Sequence, residues 1–253
     1  MRVAIFQSAG GGRTPGERIA ALKAAIAAGR PDLVVCPELF LSGYAAPADI
    51  ARYAEGRDGS LQRAVAALAK AQNCAIVCGC PERDGGTLYN SAAFFGADGS
   101  LVAHHRKLAF PSGFESDTFT AGNRIEVFDY GGIRFALLIC CDSEIPETMR
   151  LARRKGAEAV LVPTALTANW PGVAEKLIPT RAFENCLWVC YANHAGTEGG
   201  LTYLGKSCIV RPDGEDAARA GAGHEMISAE IEQASVAAAQ ARLPYLGAVL
   251  DIS

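Results

Sequence analysis

The chain has 253 residues, of which 50% are hydrophobic and 20% are charged, and its formal net charge at pH 7 is −3. This apolar fraction excludes an intrinsically disordered chain, and no apolar run reaches the roughly 18 residues that a membrane-spanning helix needs. The slightly acidic balance and the lack of a long Lys/Arg cluster argue against nucleic acid as a partner.

The first part of the chain alternates between predicted strands and helices. An apolar run at residues 3–7 predicts a buried strand, and a helix is predicted over residues 15–29. Its start is marked by Thr14 as the N-cap, Pro15 at the first helical position and Glu17 closing a capping box. The next predicted elements are a strand at residues 33–36, a helix from Ser60 and a strand at residues 75–78.

The middle of the chain has four predicted strands with almost no helix between them. They cover residues 90–95, 101–105, 124–128 and 133–139. The pair Asp98-Gly99 predicts a tight hairpin between the first two. Alternation then resumes, with helices at residues 146–155 and 173–185, strands at 159–162 and 187–191, and two last strands at 207–210 and 226–231 on either side of a turn at 212–214.

This order predicts an α/β fold in one domain, over residues 1–235, with mixed sheets and helices on the outside. Two sheets covered by helices accommodate so many strands. The tail at residues 236–253 is weakly specified by its sequence, and we consider it a candidate for packing on a second subunit.

Nine cysteines are present, an odd number, and most of them lie inside apolar runs, where cysteine packs as a small hydrophobe. We see no export signal, so we expect reduced thiols and a cytoplasmic protein. Cys74, Cys78 and Cys80 superficially suggest a metal site. Within one strand, however, their side chains would face the same way into the core, so we predict no metal.

The glycines at positions 10–12, between the first strand and the first helix, mimic part of a dinucleotide-binding unit. The spacing does not fit, because Pro15 stands at the third glycine position and Glu17 would repel a phosphate. A flexible turn is the simpler interpretation. A nucleotide-binding module using glycines 10–12 is kept as an alternative from a different functional class, together with a catalytically silent scaffold.

Two candidate catalytic residues follow apolar strands. Glu38 comes after the strand at residues 33–36, where carboxylates face the ligand crevice of α/β sheets and apolar neighbours raise the pKa towards neutrality. A loop cap or an ion-pair partner explains Glu38 equally well. Cys140 lies at a strand-to-helix turn, which exposes a nucleophile beside backbone N–H groups. The alternative interpretation of Cys140 is a cysteine packed in the core.

A cysteine nucleophile needs a base or a positive charge nearby. Lys107 precedes an apolar stretch at residues 108–111, and an ammonium near such walls stabilises both a thiolate and a tetrahedral oxyanion. The alternative interpretation of Lys107 is a solvated lysine at the protein surface. Glu115, next to Phe114, is a further candidate acid, and an exposed loop carboxylate is the alternative there.

Taken together, these segments resemble the nitrilase superfamily of carbon–nitrogen hydrolases, which carries a Glu–Lys–Cys set in three signatures in this chain order. The signatures here are residues 37–44 around Glu38, 106–108 around Lys107 and 138–147 around Cys140. The stretch that holds the family's second glutamate and two later landmarks resemble residues 115–122, 181–185 and 191–194. The likeness extends from about residue 3 to residue 231.

The resemblance implies an α-β-β-α sandwich of two mixed sheets covered by helices, a homodimer or larger homo-oligomer, and no cofactor. It also implies a mechanism in which Glu38 takes the proton of Cys140 and the thiolate attacks an amide carbon. Lys107 and the backbone N–H of Cys141 then hold the oxyanion, ammonia leaves, and water activated by Glu38 hydrolyses the thioester. Glu115 positions either the substrate or Lys107.

The residues after the cysteine bear on the substrate. Cys141 and Asp142 follow it as in the amidase and carbamoylase branches, whereas true nitrilases usually have Trp-Glu there. Ser143 and Glu144 stand where hydrolases of N-carbamoyl amino acids tend to place arginines, and an acid would repel a substrate carboxylate. We therefore expect a small neutral carboxamide as the substrate, with N-carbamoyl or ureido compounds and nitriles as alternatives. The expected substrate-binding residues are Cys141, Tyr44, Phe114 and Trp170.

Overall fold

The computed structural model describes residues 1–111 and 113–242. In chain order, the strands are β1 (Arg2–Gln7), β2 (Leu33–Val35), β3 (Ala75–Asp84), β4 (Thr87–Phe95), β5 (Leu101–Arg106), β6 (Glu126–Tyr130), β7 (Ile133–Leu137), β8 (Ala159–Pro163), β9 (Trp188–Ala192), β10 (Thr197–Glu198), β11 (Leu201–Thr202), β12 (Cys208–Val210), β13 (Asp216–Arg219) and β14 (Glu225–Glu230). The helices are α1 (Pro15–Gly29), α2 (Pro47–Tyr53), α3 (Ser60–Gln72), α4 (Gly113–Thr118), α5 (Pro146–Arg154), α6 (Ile178–Asn185) and α7 (Gln233–Arg242).

Two six-stranded mixed sheets form the framework. The first has the strand order β14-β1-β2-β3-β4-β5, and the second has the order β13-β12-β9-β8-β7-β6. The inner strands β1, β2 and β3 are parallel, as are β7, β8 and β9, while the outer pairs of both sheets are antiparallel. This arrangement confirms the predicted pair of mixed sheets.

Three apolar layers hold the sandwich together. Between the sheets, Phe94 of β4 lies 4.9 Å from Phe128 of β6, measured between ring centroids, and such pairs bury large apolar areas. Leu22 of α1 and Leu68 of α3 pack on the outer face of the first sheet. Met149 of α5 packs on the outer face of the second sheet, together with α6. The layers therefore follow the predicted order α-β-β-α.

The first helix begins where local chemistry predicts it. The backbone N–H of Glu17 donates to the Thr14 hydroxyl at 3.3 Å, and the Glu17 carboxylate accepts from the Thr14 backbone N–H at 2.8 Å. Pro15 occupies the first helical position, and α1 ends at Gly29 as predicted. This capping box places the helix directly after the glycine turn.

Several elements differ from the prediction, and the short strands β10 and β11 are among those not predicted. Two short helices were not predicted, α4 (Gly113–Thr118) and α2 (Pro47–Tyr53). Six or seven residues are too few to show helical periodicity. The helix predicted at 173–185 is divided into a π-helical turn, Val173–Leu177, and α6. The alanine-containing strand β13 was also missed.

The last two predicted strands lie in different sheets. The turn at residues 212–214 connects β12 to β13, and these two strands pair antiparallel in the second sheet. The strand predicted at 226–231 is β14, which instead pairs antiparallel with β1 in the first sheet. The chain thus crosses from one sheet to the other after β13.

The boundary predicted at residue 235 falls inside α7. Val236 is buried in the layer between the sheets, and the indole N–H of Trp188 donates to the Ser235 hydroxyl at 2.8 Å. The first turns of α7 are therefore attached to the second sheet. The rest of the predicted tail, residues 243–253, lies outside the described residues, so its packing on a second subunit stays a prediction. Each helix in the described part of the chain is too short or too polar to cross a bilayer.

Candidate active site

Four of the candidate residues meet at one edge of the sandwich. Glu38 follows β2, Lys107 follows β5, and Cys140 follows β7 as the first residue of a 3₁₀ turn, while Glu115 lies on α4. Glu38, Lys107 and Glu115 are fully buried, and Cys140 is 6% exposed. The ends of strands from both sheets thus bring together residues that are about a hundred positions apart in the chain.

Lys107 bridges two carboxylates. Its Nζ lies 2.7 Å from Oε1 of Glu38 and 2.5 Å from Oε2 of Glu115. Asn90 of β4 donates a second hydrogen bond to the same Glu38 oxygen at 2.7 Å. Burial by itself lowers the pKa of Lys107, but Glu38, Cys140 and Glu115 outweigh it and raise that pKa. The lysine therefore stays an ammonium with a fixed position.

The second carboxylate oxygen of Glu38 is in a different situation. Oε2 is buried, and no residue in the described part of the chain hydrogen-bonds to it. Burial raises the pKa of Glu38 to about 7, even though Lys107 acts in the opposite direction. A buried carboxylate with an unpaired oxygen and a pKa near neutrality is suited to accept a proton at physiological pH.

Cys140 adopts an unusual backbone conformation. Its φ is +48°, in the left-handed region that non-glycine residues rarely occupy, so the turn after β7 is held by its surroundings. Burial raises the pKa of the thiol well above its usual value, Glu38 adds to this rise, and Lys107 counteracts it. The resting thiol is therefore protonated at neutral pH and needs a base before it can attack.

Asp142 fixes the cysteine turn relative to the lysine segment. One of its carboxylate oxygens accepts the backbone N–H groups of Leu108 and Ala109, both at 3.0 Å. The other accepts the backbone N–H of Ile139 at 3.1 Å and lies 3.0 Å from Nε2 of His105. One buried carboxylate thus joins the residues after Lys107 to the residue before Cys140, a role that the sequence analysis did not assign.

His194 supports Glu38 through its backbone. The imidazole Nε2 lies 2.7 Å from the carbonyl oxygen of Glu38, which can only accept, so this nitrogen carries the proton. Burial lowers the pKa of His194 to about 4, and the ring is therefore neutral. From the second sheet, the carbonyl of Thr164 accepts the Glu38 backbone N–H at 3.3 Å. Only the landmark at residues 191–194 pointed to this histidine in the sequence.

Glu198 occupies the glycine turn. Its Oε1 accepts the backbone N–H of Gly11 at 3.0 Å and pairs with the buried guanidinium of Arg18 at 3.0 Å. Its Oε2 accepts the backbone N–H groups of Tyr44 and Ala45 at 2.9 and 3.0 Å. The carboxylate therefore stands where a phosphate would bind, which argues against the nucleotide-binding alternative. Sequence analysis missed Glu198 because it lies far from the glycines in the chain.

A cavity of about 670 Å³ opens above Cys140, which is one of its lining residues. Tyr44, Phe114 and Trp170 line it as expected, and Trp170 is 66% exposed at the surface. The hydroxyl of Tyr44 donates to Oε1 of Glu115 at 2.6 Å, which connects the cavity wall to the buried charges.

Cys141 is placed differently from the aromatic residues. Its thiol donates to the carbonyl of Ala109 at 2.9 Å, and it is not among the lining residues found in the described part of the chain. Its backbone N–H lies in the first turn of the 3₁₀ segment, where such groups have no partner within the helix. A contribution of Cys141 to substrate binding would thus come from its backbone.

Comparisons with known proteins agree with this arrangement. The family model for carbon-nitrogen hydrolase matches residues 11–241. The hydrolase in pqqF 5'region of Pseudomonas protegens is 36% identical over 85% of this chain and 76% of its own length. An (R)-stereoselective amidase from a Pseudomonas species is 32% identical over 88% of this chain and 81% of its own length. An omega-amidase from Xenopus tropicalis is also 32% identical, over 84% and 80%.

Solved structures give the same result. The crystal structure of an amidase from a Nesterenkonia species superposes with a TM-score of 0.86 at 29% identity, covering 96% of this chain and 95% of the other. A mutant of that amidase carries the product of Michael addition of acrylamide at its active-site cysteine, with a TM-score of 0.86 at 28% identity over 96% and 98% of the two chains.

Proposed function

The chain belongs to the carbon-nitrogen hydrolase family and is a hydrolase acting on amides, and we propose that it releases ammonia from small carboxamides through a thioester on Cys140. One observation carries the proposal. Beside the buried thiol of Cys140 lie an ammonium, Lys107, and a carboxylate, Glu38, whose Oε2 has no hydrogen-bond partner in the described residues. This set supplies a nucleophile, a base and an oxyanion-stabilising charge.

In the first half of the reaction, Oε2 of Glu38 takes the thiol proton as Sγ of Cys140 attacks the amide carbon. The negative charge that develops on the amide oxygen is stabilised by Nζ of Lys107 and by the backbone N–H of Cys141. Glu38 then passes its proton to the amide nitrogen, the C–N bond breaks, and ammonia leaves. In the second half, Glu38 takes a proton from water, the hydroxide attacks the thioester, and the returning proton restores the thiol.

Glu115 and Tyr44 fix the position of Lys107 in this scheme. Oε2 of Glu115 lies 2.5 Å from the Lys107 ammonium, and the Tyr44 hydroxyl donates to Oε1 of Glu115 at 2.6 Å. Two carboxylates therefore keep the ammonium in one position while the substrate binds and the product leaves. The oxyanion therefore meets a charge that is already oriented, which costs no reorganisation during the reaction.

The lining of the cavity favours amide substrates whose acyl part bears no negative charge. Among the described residues that line it, the one acid is Glu144, which would repel a carboxylate. The neighbouring structures support small amides as substrates, because a Nesterenkonia amidase mutant carries acrylamide at its active-site cysteine and another carries the acetamide moiety of fluoroacetamide there. We therefore propose small neutral carboxamides as substrates, and homo-oligomeric state and cytoplasmic location remain predictions.

Ammonia release from a panel of compounds tests the proposal. The panel contains butyramide and benzamide, the carboxylate-bearing succinamate, an N-carbamoyl amino acid and a nitrile, each with the wild-type protein and with Cys140→Ala. We expect ammonia from the neutral amides, little from succinamate, and none above background with the variant. If ammonia is released from the N-carbamoyl compound alone or from the nitrile alone, that compound class is the substrate and the amidase proposal is wrong. If no compound releases ammonia, the proposal is refuted.

A further inference from the structure

The lining of the cavity has an unusual charge balance. Tyr44, Phe114 and Trp170 contribute aromatic rings and Glu144 contributes a carboxylate, whereas no Lys, Arg or His is found among the lining residues in the described part of the chain. The remaining lining residues are mostly small or apolar. A substrate group that enters this space therefore meets one negative charge and several π-faces, with no positive charge on the walls.

The carboxylate of Glu144 forms no ion pair with a cation in the described part of the chain. Arg181 lies beside Glu144, but its Nη2 donates to the Glu144 backbone carbonyl at 2.7 Å, and its Nη1 pairs with Glu184 at 2.8 Å. No ion pair to the Glu144 side chain is found among residues 1–111 and 113–242. Glu144 is half-buried and lines the cavity, and neither of its carboxylate oxygens is among the buried polar atoms without a partner in the described residues.

Lys107 does not supply the missing positive charge either. Its ammonium is already bound by Glu38 and Glu115 at 2.7 and 2.5 Å. Lys107 acts on Glu144 only at longer range, since burial raises the pKa of the Glu144 carboxyl while the charges of Lys107 and then Arg181 lower it. The Lys107 ammonium is thus already held by two carboxylates of its own, and the Glu144 carboxylate remains available to a ligand.

We propose that Glu144 is a specificity-determining residue that makes carboxamides with a protonated amino group on the acyl chain better substrates than uncharged amides of the same size. The ammonium would donate a charge-assisted hydrogen bond to the Glu144 carboxylate and lie against the aromatic walls, both of which favour a cation. Neutral amides remain substrates, but they leave this carboxylate without a partner. The inference rests on the proposed amidase function and refines its substrate class.

Matched pairs of amides test the inference. β-Alaninamide, γ-aminobutyramide and δ-aminovaleramide are compared with butyramide, valeramide and caproamide, in which a methyl group replaces each ammonium. For each pair, the ratio of kcat/KM for the cationic amide to kcat/KM for the neutral amide is measured at about pH 7.5, where primary amines are protonated. We expect a ratio of about ten for at least one chain length, the size expected of a charge-assisted hydrogen bond.

Two variants assign the effect to Glu144. In Glu144→Gln, which keeps the side-chain shape but removes the charge, we expect the ratio to fall to about one. Glu147→Gln is the matched control, because it removes a charge three residues away on the exposed surface of α5, outside the cavity. It should keep the wild-type ratio. If Glu144→Gln does not fold, Glu144→Asp, which keeps the charge on a shorter side chain, should show a ratio above one that peaks at a longer amide.

The outcomes separate this inference from the proposed function. If the wild-type protein hydrolyses the neutral amides and the ratio is one or less for every pair, the inference is wrong and the amidase function stands. A ratio above one that persists in Glu144→Gln would also refute the role of Glu144. If none of the amides is hydrolysed, the proposed function and this inference fail together.

Discussion

Gly79 of β3 packs directly against the backbone of Glu38. A Cβ built on Gly79 would lie 2.6 Å from the backbone nitrogen of Leu39 and 2.9 Å from Cα of Glu38, closer than real side chains approach. These neighbours are backbone atoms, so they cannot rotate away as a flexible side chain would. Glycine at position 79 is therefore required for the position of the proposed base.

The first prediction follows from this contact. Gly79→Ala should displace Glu38 and lower kcat/KM for amide hydrolysis by about a hundredfold, the effect of a misplacement of about 1 Å at a reacting group. Gly86→Ala is the control, because no neighbouring atom of the described residues lies within 4 Å of a Cβ built at that position in the adjoining hairpin. Steady-state kinetics with both variants check the prediction. If Gly79→Ala keeps the wild-type kcat/KM, the contact with Gly79 is not needed to position Glu38 for catalysis.

Asp142 provides the second prediction, which concerns stability. Its carboxylate accepts three backbone N–H groups and lies within hydrogen-bond distance of His105, all in a fully buried position. In Asp142→Asn, one of these donors would face an amide N–H₂, so we expect the free energy of unfolding to fall by about 3 kcal/mol.

Urea denaturation measures this loss. The control is Asp98→Asn, in which an exposed hairpin carboxylate that accepts the Ser100 backbone N–H is replaced by an amide able to accept the same bond. The control should change the free energy of unfolding by less than about 0.5 kcal/mol. Equal losses in the two variants would show that Asp142 does not anchor the turn.

The features that could be predicted from sequence depend on neighbouring residues. The start of α1 is an example, because Thr14, Pro15 and Glu17 act within one turn, and the helix begins where their chemistry predicts. The apolar strands of both sheets were likewise found from short hydrophobic runs. The pairing of β14 with β1 was not predicted, since strand pairing across more than 200 positions leaves no local signal.

The candidate site shows the same division. Glu38 and Cys140 were singled out because each follows a predicted strand, and Lys107 because an apolar stretch follows it. The structure brings the three together. Glu198 and Asp142 were not singled out, although each holds several backbone N–H groups of segments remote in sequence. Their partners are backbone groups, which any residue provides, so no pattern of residue types reveals the contact.

A third prediction concerns Tyr44, whose hydroxyl donates to Glu115 at 2.6 Å. In Tyr44→Phe, Glu115 loses this bond and Lys107 is less restrained, so kcat/KM for a neutral amide should fall by about tenfold. Tyr53→Phe, at the end of α2 and outside the cavity, is the matched control and should retain wild-type kinetics. An unchanged kcat/KM in Tyr44→Phe would remove the tyrosine from the positioning of Lys107.

The two adjacent cysteines give a fourth prediction. Cys140→Ala should lose more than about a thousandfold in kcat, because no thioester can form. Cys141→Ala should retain much of the activity, since its thiol donates to the Ala109 carbonyl and its proposed contribution is made by its backbone N–H. Iodoacetamide labelling followed by mass spectrometry identifies the reactive thiol independently. If Cys141→Ala is inactive and Cys140→Ala is active, the nucleophile is Cys141 and the proposed assignment is wrong.

The last prediction is a pH dependence set by Glu38. Burial raises its pKa to about 7, and only the carboxylate form can accept the proton of Cys140, whose own pKa lies well above its usual value. As the pH falls below 7, Glu38 is protonated and kcat/KM should decrease by about tenfold per pH unit; above 7, it should reach a plateau. Butyramide is a suitable substrate, because it does not titrate in this range and the profile then reports the free enzyme.

Glu38→Gln distinguishes this group from others that titrate near neutrality. The variant cannot accept a proton, so kcat/KM should be lower by roughly two to four orders of magnitude. Its residual activity should also lose the inflection near pH 7, which a merely structural role of Glu38 would leave in place. His194 cannot produce that inflection, because burial lowers its pKa to about 4. An inflection near 7 that persists in Glu38→Gln would therefore place the base on a different residue.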